Sequence, residues 1–290
     1  MRFLLILSLL ITGKHVTSQP LRKILDEKTG LPVPYATIKI LHSSRGTIAT
    51  NNGEFELLIG KSDSVLFSCV GYSQLILTGE KIGTIIYLIP KIRLLPEALI
   101  GSKKFLQTLL LGSKIKKPDT DINFGPSSSD LKAEYAQKVE VPDSTLTYKL
   151  KKVYIPIEKR PCYSPLLIRI YAEDTGSIYP GEELFMKFVD VNDKDIKKRV
   201  LEIDVAEANI YLRQCKYFFV SLGLTTIIKP TPHRWCVTTI LFTRASTETT
   251  YHRSLTANNY SWYPLGEFRD LNGVAYQAKT TYSVVVDEMK

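Results

Sequence analysis

The chain has 290 residues, and setting aside an N-terminal segment that reads as an export signal leaves about 270, room for about two domains at the usual 100–200 residues each. With 44% hydrophobic and 23% charged residues the composition is that of a globular protein, which excludes wholesale disorder, a collagen-like rod and a coiled coil. The formal charge of +9 admits nucleic acid, anionic lipid or acidic glycan as partners, but two of its contributors, Arg2 and Lys14, lie in the export segment.

Residues 1–18 carry the basic Arg2, an apolar run over 3–11, and small side chains at Val16 and Ser18 that suit cleavage before Gln19. The expectation is a secretory signal peptide and a mature protein in the periplasm, at the outer-membrane periphery or outside the cell. The apolar run is about half the length of a bilayer span, and no later stretch reaches about 18 apolar residues, so a membrane-spanning helix is not expected. Export argues against nucleic acid as a partner. It leaves an envelope protein or a glycan, with peripheral membrane association. The lysines fall in scattered pairs, such as Lys103 with Lys104 and Lys197 with Lys198, the pattern of solvated edges and loops rather than of a binding stripe. Four cysteines, Cys69, Cys162, Cys215 and Cys236, permit three full disulfide connectivities in an oxidising compartment, and their spacing does not choose among them. No Cys precedes Cys69, so no lipid anchor at the mature N-terminus is expected.

In residues 20–95 short strands alternate with turns. Ala36, Ile38 and Ile40 interleave with Thr37 and Lys39 at the period of a half-buried strand, and Phe55, Leu57 and Ile59 repeat it. Asn52-Gly53 between them predicts a hairpin with a type I′ turn, because both central positions of that turn need positive φ. Further strands are expected over 65–70, 74–77 and 84–89, with Cys69 as a small buried hydrophobe. The sum is a small antiparallel sandwich.

The run from Leu25 to Ile38 (LDEKTGLPVPYATI), then Gly46-Thr47, Asn51-Asn52-Gly53-Glu54-Phe55, Ser62-Asp63-Ser64-Val65 and Val70-Gly71-Tyr72 closely resembles the carboxypeptidase-like regulatory domain. That family is common in envelope proteins of Bacteroidetes, and the resemblance implies a transthyretin-like, seven-stranded sandwich over residues 19–95. It implies no catalysis, since the family's name comes from an appendage that follows a carboxypeptidase unit absent here. Leu95-Pro96-Glu97-Ala98-Leu99-Ile100 resembles the short apolar stretch that in many members leads into a receptor plug and barrel. The remaining sequence lacks the repeated ten-residue lipid-facing strands of such a barrel.

Residues 96–145, Lys-rich and polar with Gly125-Pro126-Ser127-Ser128-Ser129 near the middle, read as a linker with a short helix at 131–139. From 146 to 290 strand patterns return at 150–157, 166–171, 184–189, 200–205, 217–222, 237–243, 251–255 and 275–286, which predicts a jelly-roll-like sandwich. This part is also similar to the C-terminal β-sandwich that follows a regulatory-like domain in some uncharacterised Bacteroidetes proteins. The similarity is carried by Leu167-Ile168-Arg169-Ile170-Tyr171, Pro180-Gly181-Glu182, Leu201-Glu202-Ile203-Asp204-Val205 and Tyr217-Phe218-Phe219-Val220-Ser221-Leu222. The overall expectation is an all-β protein of two sandwiches.

No constellation points to an enzyme or a cofactor. The acidic run Asp190-Val191-Asn192-Asp193-Lys194-Asp195 has Lys at the fifth position of a calcium loop and no Gly at the sixth, so it reads as a solvated turn. Glu182 and Glu183 with Asp204 or Glu207 are candidate glycosidase carboxylates, but the sequence does not show their separation. His233 with Cys236 lacks an orienting partner, and His42 and His252 fall in or beside turns. The most suggestive set is aromatic: Trp235, Tyr251, Tyr260, Trp262 and Tyr263. Trp235, Trp262 and Tyr263 are the candidate ligand-stacking residues, with core packing as the alternative. The expected function is a non-catalytic envelope interaction or spacer module. A glycan-binding accessory protein is the alternative, and an envelope hydrolase a more distant one.

Overall fold

Segments that alternate every second residue have one apolar face each and are stable only where two sheets close over a shared core. The computed structural model describes residues 20–91, 104–113, 123–124, 133–157, 166–189, 196–197, 200–224, 228–231, 234–236, 240–245, 250–255, 260–269 and 275–290. Among these residues the fold is all-β, with the two 3-10 turns Gly79–Lys81 and Ala206–Ala208 and no α-helix. The export segment lies outside the described residues.

The first sandwich has seven strands: β1 (Arg22–Asp26), β2 (Thr37–Ile40), β3 (Gly46–Ile48), β4 (Glu54–Phe55), β5 (Ser64–Ser68), β6 (Leu75–Thr78) and β7 (Ile85–Leu88). A three-stranded sheet, β4-β1-β7, closes on a four-stranded one, β3-β2-β5-β6. The alternating positions meet in one core of Ile24, Ile38, Ile40, Phe55, Leu57, Val65, Phe67, Ile86 and Leu88. Two expectations are corrected. The sandwich is not wholly antiparallel, because β1 and β7 run parallel, Lys23 opposite Ile85 and Asp26 opposite Leu88; the intervening chain passes through the other sheet and supplies the crossover that a parallel pair needs.

Asn52-Gly53 is a turn but not a type I′ hairpin tip. Gly53 has φ +73 whereas Asn52 is not in the left-handed region, and the turn closes with the Gly53 N–H on the Thr50 carbonyl at 3.0 Å. It links β3 to β4, which belong to different sheets, and so forms a corner between the layers. Gly is required there: a Cβ on Gly53 would lie 2.5 Å from the Ile24 carbonyl oxygen.

Beyond the first sandwich the chain forms the strands of a second sandwich and of two smaller sheets: β8 (Phe105–Gly112), β9 (Asn123–Phe124), β10 (Ala133–Glu140), β11 (Thr147–Pro156), β12 (Leu166–Glu173), β13 (Pro180–Val189), β14 (Ile196–Lys197), β15 (Val200–Asp204), β16 (Tyr211–Arg213) and β17 (Tyr217–Leu224). After these come β18 (Ile228–Thr231), β19 (Arg234–Cys236), β20 (Ile240–Ala245), β21 (Thr250–Ser254), β22 (Tyr263–Pro264), β23 (Glu267–Arg269), β24 (Ala275–Thr280) and β25 (Ser283–Met289). The two smaller sheets are β18-β19 and β23-β24-β20-β9. A six-stranded sheet, β13-β12-β17-β10-β21-β22, packs on β14-β15-β11-β25-β8, to which β16 adds through β11. Leu150, Val153, Ile155, Ile168, Ile170, Phe218, Val220, Leu222, Val284 and Val286 fill the space between them. The run 275–286, read as one strand, is two, since β24 and β25 belong to different sheets.

The linker expected over 96–145 does not hold where that segment is described. β8 is the edge strand beside β25, and β10 is a central strand between β17 and β21 in place of a helix. Of the polar residues that disguise β10, Glu134 and Gln137 are buried with partners. Gln137 accepts from the Tyr282 N–H at 2.6 Å and donates to the Tyr282 carbonyl at 3.1 Å.

Because Ile168 and Ile170 enter the second core, Arg169 and Tyr171 on the same strand point to the opposite face, yet both are buried. The first sandwich covers that face. The Tyr35 ring stacks on Phe188 of β13 with centroids 4.7 Å apart, and the Tyr260 N–H donates to the Ser44 carbonyl at 2.6 Å.

Candidate functional site

Strand register gathers four polar side chains on this covered face. Arg169 of β12 stands opposite Ser221 of β17, Ser221 opposite Ala136 of β10, and Glu134 of β10 opposite Arg253 of β21. Glu134, 0% exposed, is the hub. Its carboxylate accepts from Arg253 Nε at 2.9 Å and Nη2 at 2.6 Å, from Arg169 Nη1 at 3.1 Å, from the Tyr171 hydroxyl at 2.8 Å, and from the Ser221 hydroxyl. Glu183 of β13 adds a second carboxylate, 3.0 Å from Arg169 Nε, so two carboxylates balance two guanidiniums.

A buried charge is tolerable only when paired and hydrogen-bonded. Burial by itself would raise the Glu134 carboxyl, but Arg253 and Arg169, helped by the Ser221 hydrogen bond, overcome it and hold the group down at about 2. Glu183 is left raised, because burial, joined by the neighbouring Glu134 charge, outweighs the opposing pull of Arg169 and Arg253.

The cluster also joins the two sandwiches. Arg169 Nη2 donates to the Tyr35 carbonyl at 3.1 Å, across from one sandwich to the other. Tyr35 has φ 56, an unusual conformation for a non-glycine residue and one found at over-determined places in a fold. Tyr260 makes the companion contact, its hydroxyl donating to Thr37 Oγ1 at 3.2 Å. Gly46 of β3 leaves room for that ring: a Cβ there would lie 2.7 Å from Tyr260 Cγ.

Above the cluster the sandwiches diverge into a cleft of about 390 Å³, within the usual range for small-ligand sites. Trp262, Tyr260, Tyr179 and Tyr171 contribute aromatic surface. Thr37, Ser68, Ser177, Ser261 and Gln74 contribute hydroxyls and an amide, and Lys39, Asp174 and Glu182 contribute charge. The Arg253 guanidinium lies over the Trp262 ring at 4.3 Å and the Tyr260 ring at 4.5 Å, and Trp262 meets Tyr171 edge-on at 5.8 Å. The aromatic wall is therefore held from behind by the ion cluster.

Of the three candidate stacking residues, Trp262 is placed at the cleft, half-buried. Tyr263, the next residue along the chain, does not line it; 38% exposed, it lies beside His252 with ring centroids 6.2 Å apart. Trp235 belongs to β19, and its side chain lies outside the described residues. Tyr251 is a packing residue against Phe219 and Tyr179. Glu182 and Glu183 part company, one exposed at the rim and the other turned to Arg169, while Asp204 caps the Ala206 N–H at 2.9 Å and, like Glu207, does not line the cleft.

The acidic run 190–195, Cys162 and His233 lie outside the described residues, as does the Cys236 side chain. Among the described residues no three His, Cys, Asp or Glu side chains group as metal ligands. Cys69 and Cys215 are free thiols. Cys69 is only partly buried against the first core, and burial, reinforced by Glu183, pushes its thiol up to about 12.

Sequence reasoning missed Glu134, Arg169, Ser221 and Arg253. The usable signal was Arg169 inside Leu166-Leu167-Ile168-Arg169-Ile170-Tyr171, because an arginine in a strand apolar on both faces needs a buried carboxylate. Compared with known proteins, the chain matches no family model and no curated protein.

Proposed function

We propose that this chain is a non-catalytic, exported cell-envelope protein in which a module of the carboxypeptidase-regulatory type is fused to a second sandwich, and that the cleft between them binds carbohydrate. The observation that carries the reading is the composition of the cleft wall, in which the Trp262 indole stands among hydroxyls, an amide and rim carboxylates. A sugar ring is apolar on its C–H face and polyhydroxylated around its edge. It asks for an aromatic surface together with short polar groups, each stacking contact contributing on the order of 1 kcal/mol. The resemblance of residues 19–95 to an envelope family and the export pattern of residues 1–18 support the compartment. The ion cluster and the Tyr35 and Tyr260 contacts support a spacer of fixed geometry, with the cleft as its interaction surface.

A glycan array probed with the mature chain tests this. Binding that Trp262→Ala abolishes while the fold survives supports the reading; no signal on any glycan from a folded protein contradicts it. One observation favours hydrolysis as a second reading: Glu183 lines the cleft and its carboxyl is raised, as a general acid requires. Arg169 at 3.0 Å opposes that role. Release of reducing ends from a bound oligosaccharide, lost in Glu183→Gln, would establish it.

A further inference from the structure

Resting on the carbohydrate reading, the geometry points to a neutral sugar, not a uronate or other acidic one, as the ligand of the cleft, with Glu182 and Asp174 accepting hydrogen bonds from its hydroxyls. The charges of the site that face a ligand decide this. Two arginines lie in or under the cleft wall, and a count of residues alone would make it an anion site. Both guanidiniums are paired with carboxylates of the cluster. Arg253 donates through Nε to Glu134 and through Nη2 to Glu134 and the Tyr171 hydroxyl, while Arg169 donates through Nη1 to Glu134 and through Nη2 to the Tyr35 carbonyl, with the Glu183 carboxylate in ion-pair range of its Nε.

What faces the opening is different. Glu182 and Asp174 are exposed carboxylates on the β13 side, and Lys39 of β2 is the cation on the opposite wall. Asp174, at the turn between β12 and β13, is oriented by its Oδ1, which accepts the Gly176 N–H at 3.1 Å. Carboxylate oxygens accept from neighbouring sugar hydroxyls and gain from the ligand's donors. A ligand carboxylate brought to the same rim meets like charge at close range, which one lysine on the far wall offsets only in part. The aromatic wall adds to the selection, since the C–H face of a neutral pyranose can lie on Trp262 with its hydroxyls turned to the rim.

The test is isothermal titration of the full mature chain with neutral trisaccharides of glucose, mannose and galactose, alongside the corresponding glucuronate, mannuronate and galacturonate oligomers. Expected is binding of at least one neutral trisaccharide, with its uronate counterpart at least about tenfold weaker. The double variant Glu182→Gln, Asp174→Asn should bind the neutral sugar several-fold more weakly and narrow its preference over the uronate. An unchanged far-ultraviolet circular dichroism spectrum and melting temperature would show that the variant folds. Uronates binding as tightly as neutral sugars, or more tightly, would overturn the charge assignment and leave the carbohydrate reading standing. Failure of every sugar, neutral and acidic, with the folded wild type would overturn both. Equal preference in the double variant and the wild type would remove Glu182 and Asp174 from the site.

Discussion

Glu134→Gln is the substitution that probes the join between the sandwiches most sharply. Glutamine keeps the shape and one acceptor oxygen but removes the charge, and it turns an amide donor toward guanidiniums that can only donate. Removing one member of a buried ion pair costs about 3–5 kcal/mol because it strands the other charge. The depressed carboxyl gives a second route to the magnitude. A fall from 4.5 to about 2 on a fully buried group corresponds to about 3 kcal/mol, at roughly 1.4 kcal/mol per tenfold change in proton affinity. Because the folded-state value is the lower one, this contribution is present above pH 4.5 and is lost as pH falls from 4.5 toward about 2. Urea denaturation across pH 2–7 measures both effects. The wild type should lose stability steeply over that acid range, and Glu134→Gln should begin about 3 kcal/mol lower at pH 7 with that part of the acid loss missing. A variant within about 0.5 kcal/mol of wild type at pH 7, with the acid loss intact, would refute the assignment of Glu134 as the hub.

Four further outcomes follow from the same geometry. Glu183→Gln should remove the part of the stability profile that falls as pH rises through the raised carboxyl of Glu183, read by the same denaturation series. Gly53→Ala should destabilise the first sandwich by about 2–4 kcal/mol, from the left-handed backbone and the overlap with the Ile24 carbonyl, measured as a lowered melting temperature. Trp262→Ala should cost about 2 kcal/mol, less than the 3–5 of a fully buried tryptophan, so that a folded but non-binding protein is recovered. The Cys69 thiol, raised to about 12, should react slowly with iodoacetamide at pH 8, and a rate like that of a free thiol would contradict its burial.

The alternation of Ala36, Ile38 and Ile40, and of Phe55 and Leu57, was legible because each of these strands has one face on the core of the first sandwich. β10 was not. Ala133-Glu134-Tyr135-Ala136-Gln137-Lys138 is rich in residues with helical preference, and it becomes a strand because β17 and β21 pair with it on both sides and because Glu134 and Gln137 find buried partners. β8 was hidden for a different reason: as an edge strand it exposes Phe105, Leu106 and Leu110, so its apolar residues follow no burial period. At the candidate site, the aromatic set led to Trp262 and Tyr260 but could not separate Trp262 from Tyr263, whose neighbours depend on the β21–β22 pairing. The charged cluster was invisible because its members come from four strands, and only the register of one sheet with its neighbours brings Arg169, Ser221, Glu134 and Arg253 together.

The cleft carries its own reporter. The chain has two tryptophans, so Trp235→Phe leaves Trp262 as the single indole, set between Arg253 and the cleft. Titrating that variant with neutral trisaccharides and following its fluorescence measures occupancy of the cleft directly. The account predicts a saturable change in intensity or emission wavelength at the same concentrations that give heat in calorimetry. A sugar that binds by calorimetry and leaves the Trp262 emission unchanged at saturation would place the ligand elsewhere and contradict it.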